Sequence, residues 1–372
     1  MKYYIIAGEA SGDLHGSNLI KALKAEDTKA NIRCWGGDLM QNAGGTLVKH
    51  YKEMAFMGFL EVLFNLNAIF KNIHFCKTDI ENFQPDVIIF IDYSGFNLRI
   101  AQWAKENHFR TNYYISPQIW ASREGRIHKI KRDIDAMYVI LPFEKEFYED
   151  KHDFPVHFVG HPLIDAISNR GALDKESFYE TFHLKKDKPI IALLPGSRKQ
   201  EVEKMLNVML SVANSFSEYQ FVIAGAPSLD ADFYTPFLKN PNVGFVSNRT
   251  YDLLSVSHTA LVTSGTATLE TALFNVPQVV CYKANWLSYQ IAKRIITLEY
   301  ISLVNLIMKS EVVKELIQTN LNRTNLETEL SKIIKGPDRE RILESYNALR
   351  RKLGGEGASK KAAALIVSGI KK

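Results

Sequence analysis

Ala192-Leu193-Leu194-Pro195-Gly196-Ser197-Arg198 decides how the rest of the chain is read. The run Ile190 to Leu194 is apolar throughout, as a strand buried on both faces of a parallel sheet must be. It stops at a Pro-Gly turn that feeds a helix beginning near Lys199. A strand, a tight glycine turn and a helix start leave backbone N–H groups and the positive end of a helix dipole facing outward, which suits a phosphate. Arg198 adds a planar guanidinium whose fork of donors matches phosphate oxygens. Further on, a second strand (Ala260 to Thr263) ends in Ser264-Gly265-Thr266-Ala267-Thr268-Leu269-Glu270, again a small-residue turn into a helix. Two such turns in one α/β unit suggest a nucleoside diphosphate. Gly196, Ser197, Arg198, Ser264, Gly265 and Thr266 would hold its phosphates, and the Glu270 carboxylate would accept from ribose hydroxyls. Either turn alone is equally an ordinary βα connection.

At 372 residues the chain exceeds one ordinary core, so two domains are expected. Its 46% hydrophobic and 23% charged content is that of a soluble globular protein. A net charge of +5 falls short of a nucleic-acid-binding signature, so no nucleic-acid partner is expected. It suits an anionic substrate or a membrane surface. Cys34, Cys76 and Cys281 are odd in number and form no C-x-x-C, which excludes a disulfide framework or a cysteine zinc site. The opening Met1-Lys2-Tyr3-Tyr4-Ile5-Ile6-Ala7-Gly8-Glu9 is no signal peptide, because Glu9 ends the apolar run. No window is apolar enough to span a bilayer, and a cytoplasmic location is expected.

Strand Tyr3–Ala7 leads through Gly8-Glu9-Ala10-Ser11-Gly12-Asp13-Leu14-His15-Gly16 into a helix reaching about Ala25. This places Glu9, Ser11, Asp13 and His15 at the carboxyl edge of a parallel sheet, where such folds bind ligands. Glu9 and Ser11 are candidate substrate contacts; Asp13 could instead cap the helix and His15 lie on the surface. The glycines do not form G-x-G-x-x-G. Strand Ile32–Gly36 precedes a Gly-rich loop, and then Phe59, Val62, Leu63, Leu66, Phe70 and Ile73 recur at helical spacing as a core-facing stripe. Met57, Leu60 and Phe64 form a second apolar stripe, so this helix is either buried all round or faces lipid. Val87–Ile91 reads as a central strand tipped by Asp92, the first candidate for a catalytic base. Ser94 or Asn97 would cap the helix that follows. Further strands are expected at Thr111–Ile115, Met137–Leu141 and Val156–Val159, with a basic amphipathic helix from Arg123 to Arg132. Asp133-Ile134-Asp135 and Asp230-Ala231-Asp232 match the D-x-D of metal-dependent sugar transferases only by chance, so neither a metal nor another cofactor is expected. A polar, loop-like linker spans about 162–188, and strands alternating with helices then build a second parallel sheet.

Several stretches, taken together, resemble the lipid-A-disaccharide synthase family. They are Ala7-Gly8-Glu9-Ala10-Ser11-Gly12-Asp13, Met57-Gly58-Phe59-Leu60-Glu61-Val62-Leu63, Ile91-Asp92 with Phe96-Asn97, and Ser116-Pro117 with Trp120-Ala121. Leu141-Pro142-Phe143-Glu144-Lys145, Gly160-His161, Leu194-Pro195-Gly196-Ser197-Arg198, Ser264-Gly265-Thr266-Ala267 with Leu269-Glu270, and Ser302-Leu303 with Asn305-Leu306 complete the series. They run in the family's order from residue 3 to about 317. The chain departs from the pattern at Gly95, where a second aspartate is expected, at Ser122 in place of an aromatic, and at Val304 in place of proline.

The resemblance implies an inverting, metal-independent glycosyltransferase of α/β class and GT-B architecture: two Rossmann-like parallel-sheet domains facing across a cleft. Residues 1–165 would form the acceptor and membrane-facing domain, with the C-terminal helix 345–372 packing back on it, and 170–344 the UDP-sugar domain. The implied substrates are UDP-2,3-diacylglucosamine and 2,3-diacylglucosamine 1-phosphate. Asp92 would be the base and Arg198 would stabilise the departing diphosphate. Asn305 joins the substrate-binding set. Met57, Phe59, Leu60 and Phe64 would meet acyl chains, at the cytoplasmic face of the inner membrane. The rival readings are another UDP-sugar enzyme of the same fold, an epimerase or soluble glycosyltransferase, and a non-catalytic peripheral lipid-binding protein.

Overall fold

Val87–Ile91 and Ile190–Leu194 are buried at every position, and each lies inside its own parallel sheet. The computed structural model describes residues 1–54, 66–284 and 299–371. The chain divides into two compact units, Met1–Asn169 with Leu353–Lys372, and Arg170–Lys352.

The first unit holds seven strands: β1 (Lys2–Ala7), β2 (Asn31–Gly36), β3 (Thr46–His50), β4 (Val87–Ile91), β5 (Thr111–Tyr114), β6 (Ala136–Val139) and β7 (His157–Phe158). Their order is β3-β2-β1-β4-β5-β6-β7, all parallel. The chain starts mid-sheet, runs outward to β3 and returns to β4. The direction of winding therefore reverses between β1 and β4, and the loops beyond those strands diverge to open a crevice. The helices discussed below are α1 (Ala10–Glu26), α2 (Asp38–Asn42), α3 (Leu66–Phe83), α4 (Ser94–Glu106), α5 (Ile127–Asp133), α6 (Pro142–Lys145) and α7 (Pro162–Ser168). β3 was not anticipated. Its residues are exposed or half-buried at the sheet edge, so the apolar run that marks a central strand is missing.

The second unit holds β8 (Ile190–Leu194), β9 (Gln220–Gly225), β10 (Val243–Ser247), β11 (Ser257–Thr263), β12 (Gln278–Tyr282) and the short edge strand β13 (Glu315–Ile317). The order β10-β9-β8-β11-β12-β13, again parallel, puts its winding reversal between β8 and β11. Its helices are α8 (Lys175–Thr181), α9 (Lys199–Leu210), α10 (Thr250–Val256), α11 (Thr266–Leu273), α12 (Leu303–Met308), α13 (Arg323–Ile334) and α14 (Pro337–Lys352).

The stretch expected as a loop-like linker is mostly helical. His161 and Asp174 side chains accept from backbone N–H groups to start α7 and α8. Phe178 of α8 is buried in the second core, so the crossing shrinks to Asn169–Arg170. The return crossing lies at Lys352–Leu353, later than 345. Buried Tyr346 and Leu349 hold α14 to the second unit, where Gln278 Nε2 donates to the Tyr346 hydroxyl at 3.2 Å. Gly354, Gly355 and Gly357 then break the helix at φ 89°, 69° and 96°. The last helix, α15 (Ala358–Lys371), packs against α1 and α7. Asp165 of α7 accepts from the N–H groups of Gly357 (2.6 Å) and Ser359 (3.1 Å), satisfying the free donors at the start of α15. Among the described residues no helix is long and apolar enough to cross a membrane.

Candidate active site

Glu9 follows β1 and Asp92 follows β4, so two carboxylates flank the winding reversal of the first sheet. Burial, and then the charge of Glu9, push the Asp92 carboxyl up to about 6, against a smaller pull from the Tyr93 backbone N–H. The backbone beneath is strained. Asp92 and Tyr93 are left-handed at φ 44° and 45°, and β-branched Ile115, just past β5, sits at 63°. Such residues cost on the order of 1–3 kcal/mol each and persist only where their surroundings over-determine them. Here the Asp92 N–H donates to the Ile115 carbonyl at 3.2 Å. The Asp92 carbonyl accepts from Asn97 Nδ2 at 2.8 Å and from the Tyr113 hydroxyl. The Tyr93 ring lies so close to Gly8 that a Cβ there would come within 2.3 Å of it. Neither Ser94 nor Asn97 caps α4: its N-cap is Tyr93, with no side-chain bond. Asn97 braces the Asp92 loop instead.

In the second unit both small-residue turns flank the winding reversal, one after β8 and the other after β11. Gly196 takes φ 104°, a conformation costly for any other residue, and a Cβ there would meet Glu201 Oε2 at 2.5 Å. The turn is tied down by Ser228 Oγ, which donates to the Ser197 carbonyl at 2.9 Å. Arg198 is the exposed N-cap residue of α9 and makes no ion pair or side-chain hydrogen bond with any described residue. Gly265 (φ 145°) begins α11, again with no side-chain cap. Ser264 Oγ donates to the Ile301 carbonyl at 2.8 Å, which spends its proton on the fold. Glu270 is half-buried, and Oε1 accepts from the Tyr251 hydroxyl at 2.8 Å. Burial raises its carboxyl above the usual range, and Tyr251 offsets part of that. The first unit thus carries a carboxylate able to take a proton near neutral pH. The second carries two uncapped helix starts and a free guanidinium, a combination suited to a diphosphate.

Several of the expected residues are engaged within the fold. Asn305 is fully buried and spends all its hydrogen-bonding capacity on the protein. Oδ1 accepts from Val312 N–H (2.9 Å) and Val313 N–H (3.0 Å), while Nδ2 donates to the Val313 carbonyl (2.8 Å) and Glu315 Oε1 (2.9 Å). Asp13 caps α2 rather than its own helix, accepting from the N–H groups of Gly37, Leu39 and Met40. His15 is half-buried rather than exposed. Burial brings its imidazole down to about 4, and its Nδ1 has no partner among the described residues. The first D-x-D pair is engaged by cations, Asp133 with Arg132 and Asp135 with Lys105. Ser11, Glu9 and Thr266 are exposed as a ligand contact requires. Met57, Phe59, Leu60 and Phe64 lie outside the described residues. Phe70, expected on the inner stripe, is 60% exposed, while Ile73 does pack on the core. Tyr93, Tyr113 and Tyr251 went unforeseen. Gly8, Asp92 and Glu270, which they touch, lie on other elements of the fold.

Known proteins resemble this chain. The lipid-A-disaccharide synthetase family model matches residues 3–368. The lipid-A-disaccharide synthase of Syntrophus aciditrophicus is 40% identical over 99% of this chain and 97% of its own. That of Coxiella burnetii is 36% identical over 97% and 96%. Solved structures share the fold at low identity. The UDP-GlcNAc 2-epimerase of Neisseria meningitidis, bound to UDP-GlcNAc, superposes with a TM-score of 0.68 at 15% identity, covering 100% of both chains. The S. aureus MnaA–UDP co-structure gives 0.70 at 14%, covering 100% of this chain and 97% of that one. The two parallel-sheet units are thus those of GT-B glycosyltransferases and epimerases, and the full-length matches decide between the two: the chain belongs to the lipid-A-disaccharide synthase family and is a glycosyltransferase of lipid A biosynthesis.

Proposed function

We propose that the chain joins UDP-2,3-diacylglucosamine to 2,3-diacylglucosamine 1-phosphate, with inversion and without a metal, releasing UDP. Asp92 takes the proton of the acceptor 6-hydroxyl as that oxygen attacks the anomeric carbon of the donor. The bond from that carbon to the UDP oxygen breaks, and the new linkage is β-1′,6. Charge growing on the diphosphate is met by Arg198 and by the helix starts at Gly196-Ser197 and Gly265-Thr266, which need not move to meet it. Glu270, oriented by Tyr251, accepts from the ribose hydroxyls, and Glu9 and Ser11 contact the acceptor side. The observation that carries this reading is the Asp92 carboxyl, held on strained backbone and poised near 6. A base so poised is mostly ionised at neutral pH while keeping affinity for a proton.

Acyl chains on both sugars call for an apolar surface at the membrane. Support comes from Phe70 and Phe75 on α3 and Leu39 on α2, exposed at 60%, 46% and 45%. Met57, Phe59, Leu60 and Phe64, which precede α3 in the sequence, would add apolar side chains for the acyl groups, and Lys129, Lys131 and Arg132 of α5 would meet anionic headgroups. The protein would then sit peripherally on the cytoplasmic face of the inner membrane. The test is a thin-layer assay with purified protein, radiolabelled acceptor and UDP-linked donor. Disaccharide 1-phosphate and UDP should appear in equal amounts, with or without EDTA. Absence of product rejects the reaction, and loss of product with EDTA rejects metal independence.

A further inference from the structure

Three guanidiniums gather beside the Asp92 loop without a counter-charge. Arg126 donates from Nη1 to Ser94 Oγ at 2.8 Å. Burial, and then the charges of Arg123 and, more weakly, Arg99, pull Arg126 below the usual arginine range, so Arg126 stands within electrostatic reach of both, and its backbone N–H donates to the Arg123 carbonyl at 3.0 Å. No described carboxylate pairs with any of them. Glu124, the one acid between Arg123 and Arg132, is turned to Lys151 at 2.7 Å and His152 at 2.9 Å. Asp133 is taken by Arg132. Like charges around Arg126 leave a local demand for an anion.

The first turn of α4 adds to that demand. It has no side-chain cap and no acidic residue, so the N–H groups of Ser94 and Gly95 are free to bind. Gly95 borders open space: a Cβ built there meets nothing within 4 Å. Room, donors and uncompensated positive charge coincide at one point on the surface of the first unit.

We propose that Arg99, Arg123, Arg126 and the first turn of α4 form a seat for a phosphomonoester, and that the acceptor sugar's 1-phosphate occupies it. The second half of this statement rests on the reaction proposed above. The geometry is of the right scale. Ser94 is two residues past Asp92, at most about 7 Å along the backbone. A sugar phosphate seated there carries its phosphate at one end of the ring and its 6-hydroxyl at the other, so anchoring the first presents the second to Asp92. The fork of Arg126, fixed by Ser94, gives the oriented donors that a phosphate needs.

Two measurements on the full-length protein decide it. In the first, glucosamine 1-phosphate and glucosamine are titrated into wild type, Arg126→Gln, Arg99→Gln/Arg123→Gln and Arg198→Ala, followed by calorimetry. The phosphosugar should bind wild type and Arg198→Ala alike, bind Arg126→Gln roughly 10–100-fold more weakly, and outcompete glucosamine. Arg126→Lys, which keeps charge but loses the fork, should recover only part of the loss. Undiminished binding to Arg126→Gln, or loss confined to Arg198→Ala, overturns the seat. In the second, transfer to the acceptor with and without its phosphate is compared. The preference of wild type for the phosphorylated acceptor should collapse in Arg126→Gln through acceptor KM. An equal loss with both acceptors assigns Arg126 a structural role and overturns the proposal. If wild type transfers to neither acceptor, the reaction reading fails, and the calorimetry still decides the seat.

Discussion

Replacing Asp92 by asparagine should destroy activity and stabilise the protein at neutral pH. Asparagine keeps the shape and tolerates left-handed backbone, so φ 44° at this position is preserved. It cannot take a proton. The kcat/KM for transfer should fall roughly 10²–10⁴-fold, about 3–5 kcal/mol of transition-state stabilisation. Wild-type rates should rise with pH through about 6, where Asp92 ionises, and level off above it. The residual activity of the variant should lack that rise. Stability moves oppositely. Burial and Glu9 raise the carboxyl from 3.8 to about 6, so the folded chain resists its ionisation. Below about pH 4 the group is protonated whether folded or not, and nothing is lost. As pH climbs from about 4 past 6, the unfolded chain ionises first, and the wild type loses up to about 3 kcal/mol. Partial exposure of Asp92 makes this an upper bound. The variant escapes the loss, so its thermal midpoint should exceed that of wild type at pH 7.5 and approach it at pH 4.5. Activity within a few-fold of normal would refute the base assignment. A midpoint difference independent of pH would refute the account of its ionisation.

Arg198→Ala should weaken UDP binding roughly 10–100-fold by calorimetry while leaving the thermal midpoint unchanged, because the guanidinium supports no described part of the fold. An unaltered affinity removes the diphosphate role. Tyr251→Phe frees Glu270 Oε1, so UDP should bind a few-fold more weakly and be less well distinguished from 2′-deoxy-UDP; equal discrimination would show that Glu270 does not read the ribose. Asn305→Ala strands the N–H and carbonyl of Val313, at about 1–3 kcal/mol for each buried group left unpaired. Its midpoint should drop by several degrees with substrate KM values near normal, whereas a raised KM at an unchanged midpoint would restore Asn305 as a substrate contact. Serine at Met57, Phe59, Leu60 and Phe64 together should abolish co-sedimentation with anionic vesicles, since each large apolar side chain contributes roughly 1.5–3 kcal/mol; undiminished binding would place the membrane surface elsewhere.

The two sheets and the small-residue turns of the second unit were legible in the linear chain. A strand covered on both faces has to be apolar at every position, and Val87–Ile91 and Ile190–Leu194 are. Gly196 and Gly265 advertise turns that only glycine adopts cheaply. Edge strands β3 and β13 were not legible, because a strand half in solvent needs no such run. The capped helices α7 and α8 hid in polar sequence for a related reason: their stability comes from caps and tertiary packing, with Phe178 buried in the second core.

What only the folded chain decided was which residues meet. Glu9 and Asp92 couple because β1 pairs with β4 rather than with the strands beyond it. Asp13 reaches across to α2, Tyr113 closes over Asp92, and Arg126 finds Ser94. Asn305, placed among substrate contacts by its motif, turned out to be a fully satisfied internal brace. Local pattern reports how much water each residue meets, which is a property of short segments. The order of strands and the partners of a polar side chain depend on contacts between segments remote in sequence, and no short stretch encodes them.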